Sequence, residues 1–161
     1  MRKSILTSTT TQILAAWLGV VGAAGIAHAQ AGGGTIQGTW DISLTVRNCA
    51  TGAPVATFAE LATFDRDGTG ISSTSGLPQA TKTPGHGVWS HVGGLTYAYA
   101  FKFFRFDAAT GAMVGWTVIR QEATLEPGGG GYTAEGGAEV YNTAGTLVGR
   151  GCSTTSASRF E

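Results

Sequence analysis

Charged residues are scarce in this chain: of its 161 residues, ten are Lys or Arg and ten are Asp or Glu. The formal net charge is zero, and no long basic run is present. Proteins that bind nucleic acid need a concentrated basic face to meet the phosphate backbone. We therefore expect no nucleic-acid partner.

Long hydrophobic runs are also few, and the clearest one lies at the start of the chain. Arg2 and Lys3 are followed by an apolar stretch at 13–26 and by Ala27-His28-Ala29, which together form the three-part pattern of a cleavable export signal. The stretch is short for a membrane span and is interrupted by glycines. We therefore predict that residues 1–29 are a signal peptide. The remaining chain is expected to be secreted or periplasmic, with no membrane insertion after cleavage.

Cysteine is limited to Cys49 and Cys152. In an oxidising compartment the default state of such a pair is a disulfide. The alternative is two free, buried thiols. We predict one bond between Cys49 and Cys152.

Helical spacing of apolar residues is not sustained anywhere after the predicted leader. Residues 30–37 are rich in glycine and indicate a flexible N-terminal segment, and from Gly38 onward apolar and polar residues alternate as they do in strands. Clusters of turn-forming residues interrupt the alternation seven times, at 49–54, 65–68, 76–85, 93–94, 107–111, 126–131 and 142–145. Seven short turns separate eight antiparallel strands. We predict one all-β domain at 38–161, a closed eight-stranded up-and-down barrel.

Closure of the barrel follows from the predicted disulfide, because it places the first and last strands side by side. The corresponding register pairs Ile42 with Arg159, Leu44 with Ala157 and Val46 with Thr155. These positions share one face with Trp40, which makes that face the interior. Both cysteines fall on the opposite face.

An aromatic stripe on the fifth strand is predicted to face the same interior. With a turn at 107–111, the inward pairs are Phe103–Gly115, Phe101–Thr117, Tyr99–Ile119 and Tyr97–Gln121. The other face carries Lys102 opposite Trp116, where a cation–π contact can form. Burial of an unpaired charge is costly, so this second face is expected to meet solvent.

Two further turns add polar groups to the predicted interior. A tight turn at Gly93-Gly94 places His86, Val88 and Ser90 inside and His91 outside. A turn at 65–68 puts Ile71 on the face of Phe58, Ala62 and Phe64, with Glu60 among them.

These side chains indicate a pocket for a small apolar or aromatic molecule, since ligand sites combine apolar walls with a few polar groups. The candidate ligand-binding residues are Tyr97, Tyr99, Phe101, Phe103, Ile119, Gln121, His86 and Val88. The alternative is a barrel filled by its own side chains, which would act through its surface. A second functional hypothesis is an enzyme in which His86, Glu60, Tyr97 and Tyr99 move protons.

No metal or cofactor is expected. Asp65-Arg66-Asp67-Gly68 resembles the start of a calcium loop, but the later ligands are missing and a hairpin turn is the better interpretation. His86 and His91 are separated by an odd number of residues, which sends them to opposite faces of a strand.

Gly38-Thr39-Trp40 near the start and Arg159 near the end resemble the pattern of the lipocalins and wider calycins. The resemblance implies that Trp40 packs under Arg159, closes one end of the barrel and leaves the lumen for a small ligand. A second resemblance, based on strand number and an aromatic lumen, is to allene oxide cyclase and dirigent-type barrels. It implies cyclisation or coupling of an apolar substrate.

Overall fold

The computed structural model describes residues 34–160, and the predicted signal peptide at 1–29 lies outside them. Eight strands follow one another in the order β1 (Gly38–Arg47), β2 (Pro54–Phe64), β3 (Thr69–Thr74), β4 (Gly85–Gly93), β5 (Thr96–Phe106), β6 (Met113–Leu125), β7 (Gly131–Tyr141) and β8 (Leu147–Arg159). Each strand pairs antiparallel with the next, and β8 pairs with β1 to close the barrel. The predicted eight-stranded antiparallel barrel is confirmed. Within the described residues, one short 3-10 helix is present at Gln79–Thr81, and no helix is long and apolar enough to cross a membrane.

Turn chemistry accounts for the short connections between the strands. Between β5 and β6, the Asp107 carboxylate accepts hydrogen bonds from the backbone N–H groups of Ala109 (3.1 Å) and Thr110 (2.8 Å). Gly111 then adopts a φ of 67°, a conformation that side chains disfavour. The chain therefore reverses at this point and returns as β6.

The up-and-down topology gives the barrel two distinct ends. What we call the closed end carries residues 34–37 and the connections 65–68, 94–95 and 126–130, and what we call the open end carries 48–53, 75–84, 107–112 and 142–146. Each end therefore gathers segments that are far apart in the sequence.

The aromatic stripe of β5 faces the interior as expected, but its partners on β6 are shifted by two residues. The observed pairs are Phe103–Thr117, Phe101–Ile119, Tyr99–Gln121 and Tyr97–Ala123. A bulge between Arg105 and Phe106 next to the turn causes the shift. A shift of two residues changes the partners and preserves the faces.

β8 shows the same two-residue shift against both of its neighbours. Arg159 pairs with Trp40 and not with Ile42, whose partner is Ala157. On the other side, the turn at 142–145 predicts that Gly136 pairs with Gly151, whereas Gly136 pairs with Ser153 after a bulge next to that turn. The inward faces of β1, β7 and β8 are therefore the predicted ones.

β4 differs from its neighbours because its shift is a single residue. A bulge between His91 and Gly93 lets Gly93 pair with Thr96, and an odd shift turns every side chain of the strand to the other face. The prediction that His86 and Val88 point inward is wrong. Both are exposed on the outer face, and Trp89 points inward in their place.

The face of β3 also differs in part from the expectation. Phe64 pairs with Gly70 and Thr63 pairs with Ile71, so Ile71 is directed outward and is exposed. Glu60 pairs with Thr74 and lies on the inner face of β2.

Cys49 and Cys152 form the predicted disulfide, with their Cα atoms 5.2 Å apart. The bond lies at the open end, where Cys49 follows β1 and Cys152 pairs with Arg47. It links the first and last strands across a sequence separation of 103 residues. The seam that closes the barrel is therefore covalently joined.

Trp40 fills the closed end. Its side chain is fully buried, and its indole N–H donates to the Ile36 carbonyl at 2.8 Å. The Arg159 guanidinium lies 4.3 Å from the Trp40 ring centroid, and the Tyr132 ring packs edge-on against the indole with centroids 4.8 Å apart.

Residues 34–37 are held against this end, although the sequence indicated a flexible segment for 30–37. Arg159 donates to the carbonyls of Thr35 (2.7 Å) and Gln37 (2.5 Å), and the Tyr97 hydroxyl donates to the Gly34 carbonyl at 2.7 Å. Ile36 is fully buried. Because burial of apolar surface drives folding, Ile36 anchors this segment as a plug.

Candidate functional site

The inward-facing side chains become more exposed toward the open end. Trp40, Phe64 and Tyr132 at the closed end are buried to 2% exposure or less, whereas Val46 and Phe58 on the same inner face are only half-buried. In a closed barrel, inward side chains meet solvent only through an end. The interior is therefore accessible to solvent from the open end, and we call this accessible part the cup.

A hydrogen-bonded network forms the polar floor of this cup. The Tyr99 hydroxyl donates to Gln121 Oε1, which also accepts from the Thr155 hydroxyl at 2.9 Å. Gln121 Nε2 donates to Ser153 Oγ at 2.9 Å. Tyr99, Gln121 and Thr155 are all buried, and such networks hold their members in fixed positions when their bonds are satisfied.

The absence of a side chain on β7 makes this network possible. Gln121 and Ser153 lie on β6 and β8, which are not neighbours, and Gly136 lies between them in register. A Cβ added at Gly136 would come within 2.0 Å of the Arg120 carbonyl oxygen. Because no side chain stands in the way, Gln121 reaches across β7 to Ser153.

The Tyr132 hydroxyl is buried beside this floor and has no hydrogen-bond partner among the described residues. Burial raises the pKa of Tyr132, and the neighbouring Tyr99 hydroxyl raises it further. The group therefore stays protonated. Buried hydroxyls without a partner are uncommon, so a ligand atom that accepts a hydrogen bond would be favoured here.

Glu60 brings a carboxyl group into the cup from β2. Burial raises the pKa of Glu60 from 4.5 to about 7, although the nearby Lys82 ammonium acts in the opposite direction. At neutral pH both forms are therefore populated, and Glu60 can donate or accept a hydrogen bond. The negative form also raises the pKa values of Tyr99 and Tyr132.

Lys82 reaches the same region from the 75–84 connection. It forms a β-bridge with Arg105, and its side chain is only 5% exposed. The ammonium lies 5.9 Å from the Phe103 ring centroid and makes no hydrogen bond or ion pair within residues 34–160. Burial lowers its pKa, and Glu60 partly offsets this effect.

Replacement of Glu60 by glutamine should change how stability depends on pH. The folded protein keeps this proton up to a pH of about 7, whereas an unfolded chain releases it near pH 4.5. The contribution of Glu60 to stability is therefore most favourable below pH 4.5, and up to about 3 kcal/mol of it is lost as the pH rises through 7. Glu60→Gln should remove this loss, which urea unfolding at pH 5 and pH 8 would measure.

Glu122→Gln is the matched control, because Glu122 is exposed on the outer face of β6. This variant should keep the pH dependence of the wild type. Equal pH dependence in the wild type and Glu60→Gln would show that Glu60 is ionised in the folded barrel at both pH values.

The structure separates the candidate ligand-binding residues into two groups. The inward-facing group is Tyr97, Tyr99, Phe101, Phe103, Ile119 and Gln121. Within this group Tyr97 lies at the closed end and is engaged with Gly34, so it is remote from the cup. His86 and Val88 lie outside the barrel, and His86 cannot take part in proton transfer with Glu60 in the interior.

Lys82 and Tyr132 were not among the candidates. Tyr132 was accessible to sequence reasoning, because it lies two residues before the inward-facing Ala134 on the same strand. Lys82 was not, because it belongs to an irregular connection in which alternation does not report the direction of a side chain.

A groove of about 470 Å³ also crosses the outer face from β4 to β7. It is lined by Val88, Ala98 and Ala100, with Arg120 and Glu122 at its side. Its charged groups are exposed. The cup is the stronger candidate site, because a buried polar group beside its floor, the Tyr132 hydroxyl, lacks a hydrogen-bond partner within residues 34–160.

Within residues 34–160, no group of three or more His, Cys, Asp or Glu residues is placed to hold a metal ion. Comparison of the chain with protein-family models, with curated proteins and with solved structures found no match. The assignment of a function therefore depends on the cup and the groups that line it.

Proposed function

We propose that this protein is a secreted or periplasmic barrel, lipocalin-like in its architecture, that binds a small and largely apolar molecule in the cup. The observation that carries the proposal is an aromatic interior that holds the Lys82 ammonium and the buried Tyr132 hydroxyl, which has no hydrogen-bond partner among the described residues. Ligand sites in proteins have this composition. Export is supported by the leader pattern at 1–29 and by the disulfide, which is the state expected in an oxidising compartment.

The polar groups also suggest how a ligand is oriented. Its apolar body would lie against Phe58, Phe103 and Ile119, which are half-buried on the inner wall. An acceptor or anionic group would meet the Lys82 ammonium, and a hydrogen bond to a charged group contributes about 1.5–3 kcal/mol. We therefore expect an amphipathic ligand with one polar end.

Two fluorescent probes of similar shape test this orientation. The wild type should bind both the anionic anilinonaphthalene sulfonate and the neutral N-phenyl-1-naphthylamine. Lys82→Met should weaken binding of the anionic probe about tenfold or more and leave the affinity for the neutral probe nearly unchanged. Fluorescence titration at low salt provides both dissociation constants.

The matched control is Lys102→Met, because Lys102 lies on the outer face of β5. It should change neither affinity. If the wild type binds neither probe, the barrel is filled and the proposal fails. If Lys82→Met weakens binding of both probes equally, the ligand does not use the ammonium.

An enzyme of the cyclase or isomerase kind is the second candidate, and the Glu60 carboxyl favours it. A general acid–base works best when its pKa is close to the pH at which it acts, and Glu60 meets that condition. The molecule that co-purifies with the protein, incubated with it in heavy water, would distinguish the two. Deuterium on carbon that is lost in Glu60→Gln indicates catalysis, and an unlabelled molecule indicates binding alone.

A further inference from the structure

Large hydrophobic side chains are exposed at both ends of the barrel, and they are more numerous around the open end. Exposed large hydrophobic side chains occur there on β2, on the 75–84 connection, and on β5, β6 and β8. They include Val55, Leu77, Phe104, Val114, Leu147 and Val148. Soluble proteins rarely expose a contiguous apolar patch unless it binds something.

Part of this set is continuous across four adjacent strands. Phe104 pairs with Trp116, Trp116 with Tyr141, and Tyr141 with Leu147. The Trp116 and Tyr141 rings stack with centroids 5.7 Å apart. Lys102 extends over this row, with its ammonium 4.6 Å from the Trp116 centroid. We call the exposed apolar side chains and this row the rim.

The charges of the described residues are divided between the two ends. Four basic residues lie in the open half of the wall or at its edge, Arg47, Lys102, Arg105 and Arg150, against the acidic Asp107 and Glu139. The closed half of the outer wall carries six acidic residues, Asp41, Asp65, Asp67, Glu122, Glu126 and Glu135, against Arg66, Arg120 and Arg159. The barrel surface therefore carries net positive charge around the open end and net negative charge around the closed end.

We infer that the rim docks the protein, mouth first, on an anionic lipid surface. An interfacial site combines apolar side chains that enter the lipid with basic groups that meet anionic headgroups. Trp and Tyr are the residues enriched at the depth where lipid meets water. The same surface would repel the acidic residues of the closed end, so the charge distribution also sets the orientation of the barrel.

A second copy of the chain is a poorer occupant of the rim. A mouth-to-mouth dimer would bring two positive rims together, and like charges across an interface oppose association. Lipid docking requires no ligand in the cup, so the inference stands apart from the proposed function.

Sedimentation of the protein without residues 1–29, the predicted signal peptide, in the presence of lipid vesicles tests the inference. We expect binding to vesicles that contain about one third phosphatidylglycerol, and weaker binding to pure phosphatidylcholine and at high salt. Val148→Asp should reduce the binding about tenfold or more, because it removes apolar contact and adds a negative charge.

The control is Val92→Asp, because Val92 and Val148 are both 59% exposed but lie at opposite ends. Val92→Asp should bind as the wild type does. Arg150→Glu should weaken binding, and Arg66→Glu at the closed end should leave it unchanged. Equal binding to neutral and anionic vesicles, or equal effects of the two valine variants, would overturn the inference. So would a dimer in sedimentation velocity that Val148→Asp dissociates while the wild type binds no vesicles.

Discussion

Trp40→Ala should lower the free energy of unfolding by about 3–5 kcal/mol. The substitution removes a fully buried indole, its edge-on contact with Tyr132 and the ring that lies under Arg159. It also leaves the Ile36 carbonyl without the donor at 2.8 Å. Denaturant unfolding followed by far-UV circular dichroism would measure the loss.

Trp116→Ala provides the comparison, since Trp116 is half-buried on the outer face and makes no hydrogen bond to residues 34–37. A loss of about 1 kcal/mol is expected for it. If the two variants lost the same stability, the closed end would not depend on Trp40 in particular. Trp40→Phe should fall between them, because it keeps the ring and removes the N–H donor.

The second large effect should follow removal of the disulfide. The bond closes a loop of about a hundred residues, and a cross-link of this kind contributes about 2–4 kcal/mol by restricting the unfolded chain. The double variant Cys49→Ala/Cys152→Ala should melt about 10 °C lower than the wild type. Its strands should persist, because the β1–β8 ladder runs from Trp40 to Arg47 without the sulfur atoms.

Calorimetry with and without a reducing agent would separate this effect from the loss of two side chains. Reduction should lower the melting temperature of the wild type to near that of the double variant, and it should leave the variant unchanged. A wild type insensitive to complete reduction would mean that the bond adds nothing to stability.

Much of the architecture was predictable from local patterns. Alternation and turn residues identified eight strands, and the two cysteines identified their closure. The inner faces of β5 and β8 were predicted correctly although the pairing was wrong by two residues. The bulges near Phe106 and Tyr141 change the partner of each residue, but a shift of two residues leaves each side chain on the same face. On β4 the bulge near Gly93 caused an odd shift. A bulge next to a diglycine turn leaves no clear trace in the sequence, so His86 was placed on the wrong side.

The polar groups of the cup were less predictable than its walls. Glu60 was placed inside because it alternates with Phe58 and Ala62. Lys82 approaches from a connection, and only its bridge to Arg105 directs it into the barrel. The unpartnered hydroxyl of Tyr132 depends on the packing of its ring against Trp40. Such tertiary contacts produce no repeating pattern in the sequence from which they could be predicted.

The plug of residues 34–37 has a practical consequence for attaching the protein to other objects. The Gly34 carbonyl is hydrogen-bonded to Tyr97, and Arg159 is hydrogen-bonded to Thr35 and Gln37. Both ends of the described chain therefore lie at the closed end. A fusion partner, label or solid support joined to either end of the described chain would lie next to the closed end of the barrel. Its entrance would then point away from the attachment and remain accessible from solution.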